Sequence, residues 1–172
     1  MRISTILCPL LVVVCAVLAA CHPPYNWRDH TSSDGTFRVQ FPSKPAIHTR
    51  SIDLGGIRVD MTMTAADVNG TTFAVGTALA PDAALAQATL PAMRQALLRN
   101  IGAVESAAGT AAAKPGAALD VDATGKGNGA PVRLVGRFTA KGARVYQVIV
   151  MGRPDAMPAE QTEQFLTSFA PQ

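Results

Sequence analysis

The sequence predicts an α+β domain with a mainly antiparallel sheet and two principal helices. Several short segments alternate apolar and polar residues, as half-buried strands do, and tight-turn signals separate them. One long segment repeats apolar residues at helical spacing, and a shorter helical segment closes the chain. All three cysteines, Cys8, Cys15 and Cys21, precede these segments, which excludes a disulfide framework, a zinc–thiolate site and a cysteine nucleophile from the predicted domain.

A targeting signal precedes the predicted domain. Arg2 is followed by an apolar run from Ile6 to Ala20, which is shorter than the roughly 20 residues of a membrane-spanning helix and is typical of a secretory signal peptide. The run ends in Leu18-Ala19-Ala20-Cys21, which resembles the bacterial lipobox. Small side chains before the cut fit a narrow protease site, and the thiol carries the lipid. Removal of residues 1–20 leaves 172 − 20 = 152 residues, which is enough for one domain.

The resemblance to lipoproteins implies that Cys21 is acylated and anchors the protein to a membrane. Ordinary cleavage after Ala20 is the alternative, and it would leave a single free thiol in an oxidising compartment. His22 stands where an Asp would mark retention in the inner membrane. This favours the periplasm-facing leaflet of the outer membrane, in a source with two membranes.

Residues 21–35 are predicted to form a linker and residues 36–172 the domain. Two prolines favour an extended linker, and the 15 residues up to Thr36 span at most about 50 Å. Tyr25 and Trp27 either lie among lipid headgroups or pack back onto the domain. We favour packing, because an isolated aromatic pair is a weak membrane signal.

Strands and one long helix are predicted in the first half of the domain. Asp82 is expected to cap the helix, Pro91 to kink or split it, and Gly102 to end it. The helix presents one apolar stripe to the sheet, formed by Ala86, Leu90, Met93, Leu97, Ile101 and Val104. The predicted strands cover Thr36–Phe41, Ala46–Asp53, Ile57–Thr64 and Thr71–Leu79, with an Asn69-Gly70 turn before the last.

The second half predicts three more strands and a closing helix. Val145–Met151 is apolar on both faces, so it is expected at the centre of its sheet. If Lys141-Gly142 is a two-residue turn, Arg137 lies opposite Tyr146. The glycine-rich stretch 125–129 fits no phosphate-binding motif and predicts a hairpin loop. The elements are Ala117–Thr124, Val132–Thr139, Arg144–Met151 and the helix Pro158–Phe169.

Four charged side chains form the main candidate patch. Asp120 and Asp122 share one face of their strand, and Arg133 and Arg137 share a face of the next. A cross-strand charge lattice is one interpretation, and a polar patch for a ligand or partner is the other. Acid–base catalysis by the two carboxylates is not expected, because they have neither a neighbouring His nor predicted burial.

Three segments resemble PsbP-like domains. Residues 34–42 (DGTFRVQFP) are similar to the opening strand of that family, residues 142–150 (GARVYQVIV) to its late central strand, and residues 165–169 (FLTSF) to its closing helix. The resemblance covers residues 34–170 and implies an α/β/α sandwich with an antiparallel sheet. That superfold includes the extrinsic photosystem II subunit, a Ran-binding import factor and many bacterial envelope lipoproteins. These share no single activity, so the resemblance assigns no functional residue.

The sequence therefore predicts a lipid-anchored, periplasm-facing accessory or binding protein of the bacterial cell envelope, whose partners are the membrane and an envelope component. Without Arg2 the chain carries 14 Lys and Arg against 12 Asp and Glu, all scattered, so no nucleic-acid partner is expected. Histidine occurs only at His22, His30 and His48, and no catalytic triad, metal-spaced cluster or cofactor motif is visible. We therefore expect no enzyme activity, metal or cofactor.

A small-ligand or lipid-binding module is the alternative function. It needs a pocket between the sheet and the long helix, lined by Leu90, Met93 and Leu97, with Arg133 or Arg137 at its mouth. A close-packed core beneath the helix argues against that pocket.

Overall fold

The computed structural model describes residues 24–54, 56–103 and 117–172. Within these ranges two helices pack on mainly antiparallel sheets, which confirms the predicted α+β class. The helices are Ala83–Asn100 (α1) and Ala159–Ser168 (α2). The strands are Arg28–Thr31 (β1), Phe37–Phe41 (β2), Ala46–Leu54 (β3), Ile57–Val68 (β4), Thr71–Leu79 (β5), Leu119–Gly127 (β6), Ala130–Lys141 (β7), Arg144–Gly152 (β8) and Ala170–Pro171 (β9).

Six strands form the main sheet in the order β3-β4-β5-β8-β7-β6, and every neighbouring pair is antiparallel. β5 and β8 are central, which confirms the position predicted for Val145–Met151. Asn69 and Gly70 join β4 to β5 with φ angles of 51° and 78°. Positive φ at both central residues is what a type I′ hairpin requires, and this explains the Asn-Gly pair.

The turn between β7 and β8 lies one position later than predicted. Gly142 and Ala143 are its central residues, and Lys141 pairs with Arg144. Gly142 has a φ of 57°, which suits the first central position of a type II′ turn. Arg137 consequently lies opposite Val148, not Tyr146. The difference amounts to two residues along the partner strand, so Arg137 keeps the predicted face.

Helix α1 covers one face of the main sheet. The Asp82 Oδ1 atom accepts a hydrogen bond from the backbone N–H of Leu85 at 2.8 Å, which confirms the predicted cap. The helix continues through Pro91 without splitting. Pro91 is exposed, so water can hydrate the carbonyl that proline leaves without a donor.

The contacts under α1 form one close-packed cluster, here called the α1 core. Within the predicted stripe, Leu97 is only half-buried while its neighbour Leu98 is fully buried, and Val104 lies outside the described residues. The buried members of the α1 core include Ala86, Leu90, Met93, Leu98, Ile101, Leu134, Phe138 and Ile149.

The opposite face of the main sheet carries α2 and a small three-stranded sheet in the order β1-β2-β9. The shared cluster, here called the α2 core, contains Phe37, Phe41, Phe73, Tyr146, Val148 and Phe165. The hydroxyl of Tyr146 donates to the carbonyl oxygen of Thr36 at 2.9 Å, and burial raises the pKa of this phenol. A part-buried hydrogen bond thus links the chain just before β2 to the central strand β8.

The predicted linker is folded from residue 24 onward. β1 pairs with β2 along its whole length, and the backbone N–H of Asn26 donates to the carbonyl of Pro42 at 2.8 Å. The ring of Trp27 lies 6.3 Å from that of Phe73, which confirms the packing interpretation. Burial of these rings holds the segment on the domain, so an extended linker reaching Thr36 does not form.

Candidate functional site

A groove of about 330 Å³ lies between α2 and strand β7. Val135 lies on its strand side, and Met157 and Leu166 lie on its helix side. Arg133 and Arg137 flank Val135 along the same face of β7, because side chains two apart on a strand point the same way. The groove therefore combines apolar walls with two guanidinium groups.

Each arginine is held by one carboxylate of β6. The Nε and Nη2 atoms of Arg133 donate to the two carboxylate oxygens of Asp122 at 2.9 and 2.8 Å. The Nε and Nη2 atoms of Arg137 likewise donate to the two carboxylate oxygens of Asp120, at 2.6 and 3.1 Å. Asp120 lies directly opposite Arg137, whereas Asp122 reaches Arg133 diagonally. The predicted cross-strand charge lattice is therefore present.

Hydrogen bonding favours the ionised forms of Asp122, Arg133 and Arg137. Hydrogen bonds from Arg133 lower the pKa of Asp122, and the bonds to Asp122 raise the pKa of Arg133. Hydrogen bonding to Asp120 likewise raises the pKa of Arg137. Groups held charged in this way suit the positioning of a polar partner better than proton transfer.

A partner can still bind these arginines. The side chains of Arg133 and Arg137 are 38% and 50% exposed. Each bidentate ion pair uses one N–H of Nε and one of Nη2, whereas a guanidinium group has five N–H donors, so three remain on each arginine. The groove can thus offer further hydrogen bonds to carbonyl, carboxylate or phosphate oxygens beside an apolar surface.

A second, polar cavity of about 480 Å³ lies on the other side of α2, against β2. Gln40 links the two elements there, since its backbone N–H donates to Ser168 Oγ at 3.0 Å and its side chain bonds Gln164. His30 also lines the cavity, and its buried Nε2 atom has no hydrogen-bond partner among the described residues. Burial lowers the pKa of His30, so the imidazole is neutral at pH 7.

The pocket predicted beneath α1 does not combine the expected residues. Leu90 and Met93 are buried in the α1 core, on the face of β7 that carries Leu134. Arg133 and Arg137 lie on the opposite face, beside α2. Residues of odd and even number alternate across the sheet, so these arginines cannot stand at the mouth of a pocket under α1.

The sequence missed the helix side of the groove. Leu166 falls within the predicted closing helix Pro158–Phe169, to which no site was assigned, and Met157 precedes that helix without any periodic signal. The predicted alternation in β7 already separated Leu134 from Arg133. A consistent assignment of the apolar stripe of α1 to the apolar face of β7 would have placed the arginines on the α2 side.

A scan against protein-family models and a search of the curated proteins found no match to this chain. Within the described ranges, no helix is long and apolar enough to cross a membrane. The same ranges contain no group of three or more His, Cys, Asp or Glu side chains placed to hold a metal ion. Cys21 lies outside the described residues.

Proposed function

We propose that the chain is a lipid-anchored, periplasm-facing protein of the bacterial cell envelope that acts by binding a partner. The observation that carries the anchor is Leu18-Ala19-Ala20-Cys21 at the end of a short apolar run. His22 after the cysteine favours the outer membrane. The finer fold assignment, a PsbP-like α/β/α sandwich, belongs to the same proposal, and the placement of α1 and α2 cores on opposite faces of one sheet supports it.

The anchor is tested by replacing the acylated thiol. Cys21→Ala should leave an uncut precursor without the acyl mass, whereas Cys15→Ala, a matched change inside the signal segment, should be processed as the wild type is. Intact-mass spectrometry of the membrane fraction measures both. A cleaved, membrane-bound Cys21→Ala protein refutes lipid anchoring at this residue.

The partner surface is the groove beside α2. A photocrosslinking amino acid at Leu166, within the groove, should capture one defined envelope protein or peptidoglycan in intact membranes. The same amino acid at Leu79, which is 57% exposed and lies at the end of β5, is the control and should not. Turnover of a substrate by the purified protein, or equal capture at both positions, counts against a binding role for this groove.

A small-ligand or lipid-binding module is the second candidate. The groove volume of about 330 Å³ falls in the lower range of ligand pockets, and apolar side chains share its lining with two arginines. Native mass spectrometry of the membrane-extracted protein should then show a bound small molecule. Leu166→Trp should displace it by filling the groove, and wild-type protein that carries no such mass refutes this candidate.

A further inference from the structure

The chain enters the folded domain at one end of the main sheet. Trp27 packs on Phe73, two residues after β5 begins at Thr71. The same end carries the Asn69-Gly70 turn and the last residue of β8, Gly152. Here this surface is called the entry end, and it comprises residues 24–28, 42–44, 69–71 and 152–155.

Very little chain separates the entry end from the proposed anchor. Only three peptide steps join Cys21 to Pro24, and they span at most about 10 Å. Acyl chains on Cys21 hold that residue at the surface of the bilayer. The folded entry end must then lie within about the same distance of the lipid headgroups, whereas a linker ending at Thr36 would permit separations of up to about 50 Å.

The chemistry of the entry end fits that position. Tyr25 and Trp27 are stacked with their rings 18° from parallel, and both are half-buried, so part of each ring stays accessible. Amphipathic rings of this kind are favoured at the boundary of membrane and water. Arg28 follows Trp27 in the chain, and Lys44 lies two residues after Pro42, whose carbonyl accepts the Asn26 hydrogen bond; both side chains are exposed and can reach lipid phosphates. The neighbouring Asp29 is bonded to Gln40.

We propose that the entry end is a membrane-contact surface, on which Tyr25 and Trp27 stay packed against Phe73 while their accessible edges meet phospholipid headgroups and hold the domain in one orientation. This inference rests on the proposed acylation of Cys21. It places the far end of β5 up to about 27 Å further from the bilayer, because eight residue steps lead from Thr71 to Leu79.

The chain's single tryptophan provides the test. Acylated protein is reconstituted into vesicles of phosphatidylethanolamine and phosphatidylglycerol that contain a nitroxide-labelled headgroup lipid. Trp27 fluorescence should fall at least about twofold relative to unlabelled vesicles, because the indole ring and the nitroxide both lie in the headgroup layer. The matched control is Trp27→Phe with Leu79→Trp, whose fluorescence should stay nearly unchanged.

Failure of the proposed lipid anchor can be distinguished from failure of the membrane-contact surface. The acyl mass on Cys21 and flotation with vesicles are measured first, and their absence refutes lipid anchoring. If the protein is acylated and floats but Trp27 is not quenched, or the far tryptophan is quenched equally, the membrane-contact surface is refuted. Trp27→Phe with Ile57→Trp, a 41% exposed site beside the β3–β4 turn, gives a second far probe if the first variant does not fold.

Discussion

Gly125 allows the end of α1 to approach strand β6 closely. A Cβ atom at this position would lie 2.0 Å from the carbonyl oxygen of Ile101, and contact in ordinary packing begins at 3.4 Å. The obstructing atom belongs to the backbone, so it cannot rotate away. That same oxygen accepts a hydrogen bond from the backbone N–H of Lys126 at 2.6 Å. An alanine here must therefore push α1 off β6 and break this bond.

Gly125→Ala is expected to lower the free energy of unfolding by about 2–4 kcal/mol. Overpacking contributes about 1–3 kcal/mol and the lost hydrogen bond about 1 kcal/mol. The matched control is Gly127→Ala, on the same face of β6, where the nearest atom to the new Cβ is Val132 Cγ1 at 3.4 Å. This change should leave stability the same or raise it by up to about 1 kcal/mol.

Urea unfolding, followed by circular dichroism and Trp27 fluorescence, measures both variants. The two probes report on different features, since circular dichroism follows the secondary structure as a whole and Trp27 packs against the α2 core. Coincident transitions would allow a two-state analysis. Equal stability of the two alanine variants would refute the close approach of α1 to β6.

Three further changes test the remaining contacts. Burial lowers the pKa of His30, so the unfolded chain binds this proton first as the pH falls, and the free energy of unfolding should decrease below about pH 6.5. Urea midpoints measured between about pH 7.5 and 5.5 should therefore vary less in His30→Gln than in the wild type. The control is His48→Gln, at an exposed histidine. A double-mutant cycle on Arg137 and Asp120 should give a coupling below about 1 kcal/mol, because both side chains are at least half exposed; a larger value would contradict solvent screening. Tyr146→Phe should cost about 1–2 kcal/mol in unfolding experiments through loss of the bond to Thr36, and an unchanged midpoint would count against that bond.

Local patterning predicted most of the main sheet. Alternating residues and an Asn-Gly turn are short-range signals, and β5 has the predicted bounds, Thr71–Leu79. The cap at Asp82 is equally local, because a side chain and a backbone N–H three residues away form it. The predicted register between β7 and β8 was wrong by two residues, because the register depends on which two residues form the centre of the connecting turn.

Strands β1 and β9 were not predicted, because they are short and depend on partners far away in the chain. β9 has two residues and pairs with Phe37 and Arg38. β1 has no apolar alternation of its own and is held by the hydrogen bonds of β2 and by aromatic packing next to it. A window of neighbouring residues carries no information about such contacts.

The sequence by itself determined the α+β class, the placement of two aspartates on one face of a strand and of two arginines on one face of the next, and the prediction of acylation at Cys21, because each depends on residue type and short spacing. Only the tertiary structure decided which helix lies beside the arginines and how near the folded domain begins to the proposed anchor residue, Cys21. Both depend on which distant apolar surfaces bury one another. Helix α1 packs on the face of β7 that carries Leu134 and Phe138, and Trp27 packs on Phe73. Because of that choice, residues 24–35 fold onto the domain where a linker was expected, and the candidate groove lies beside α2.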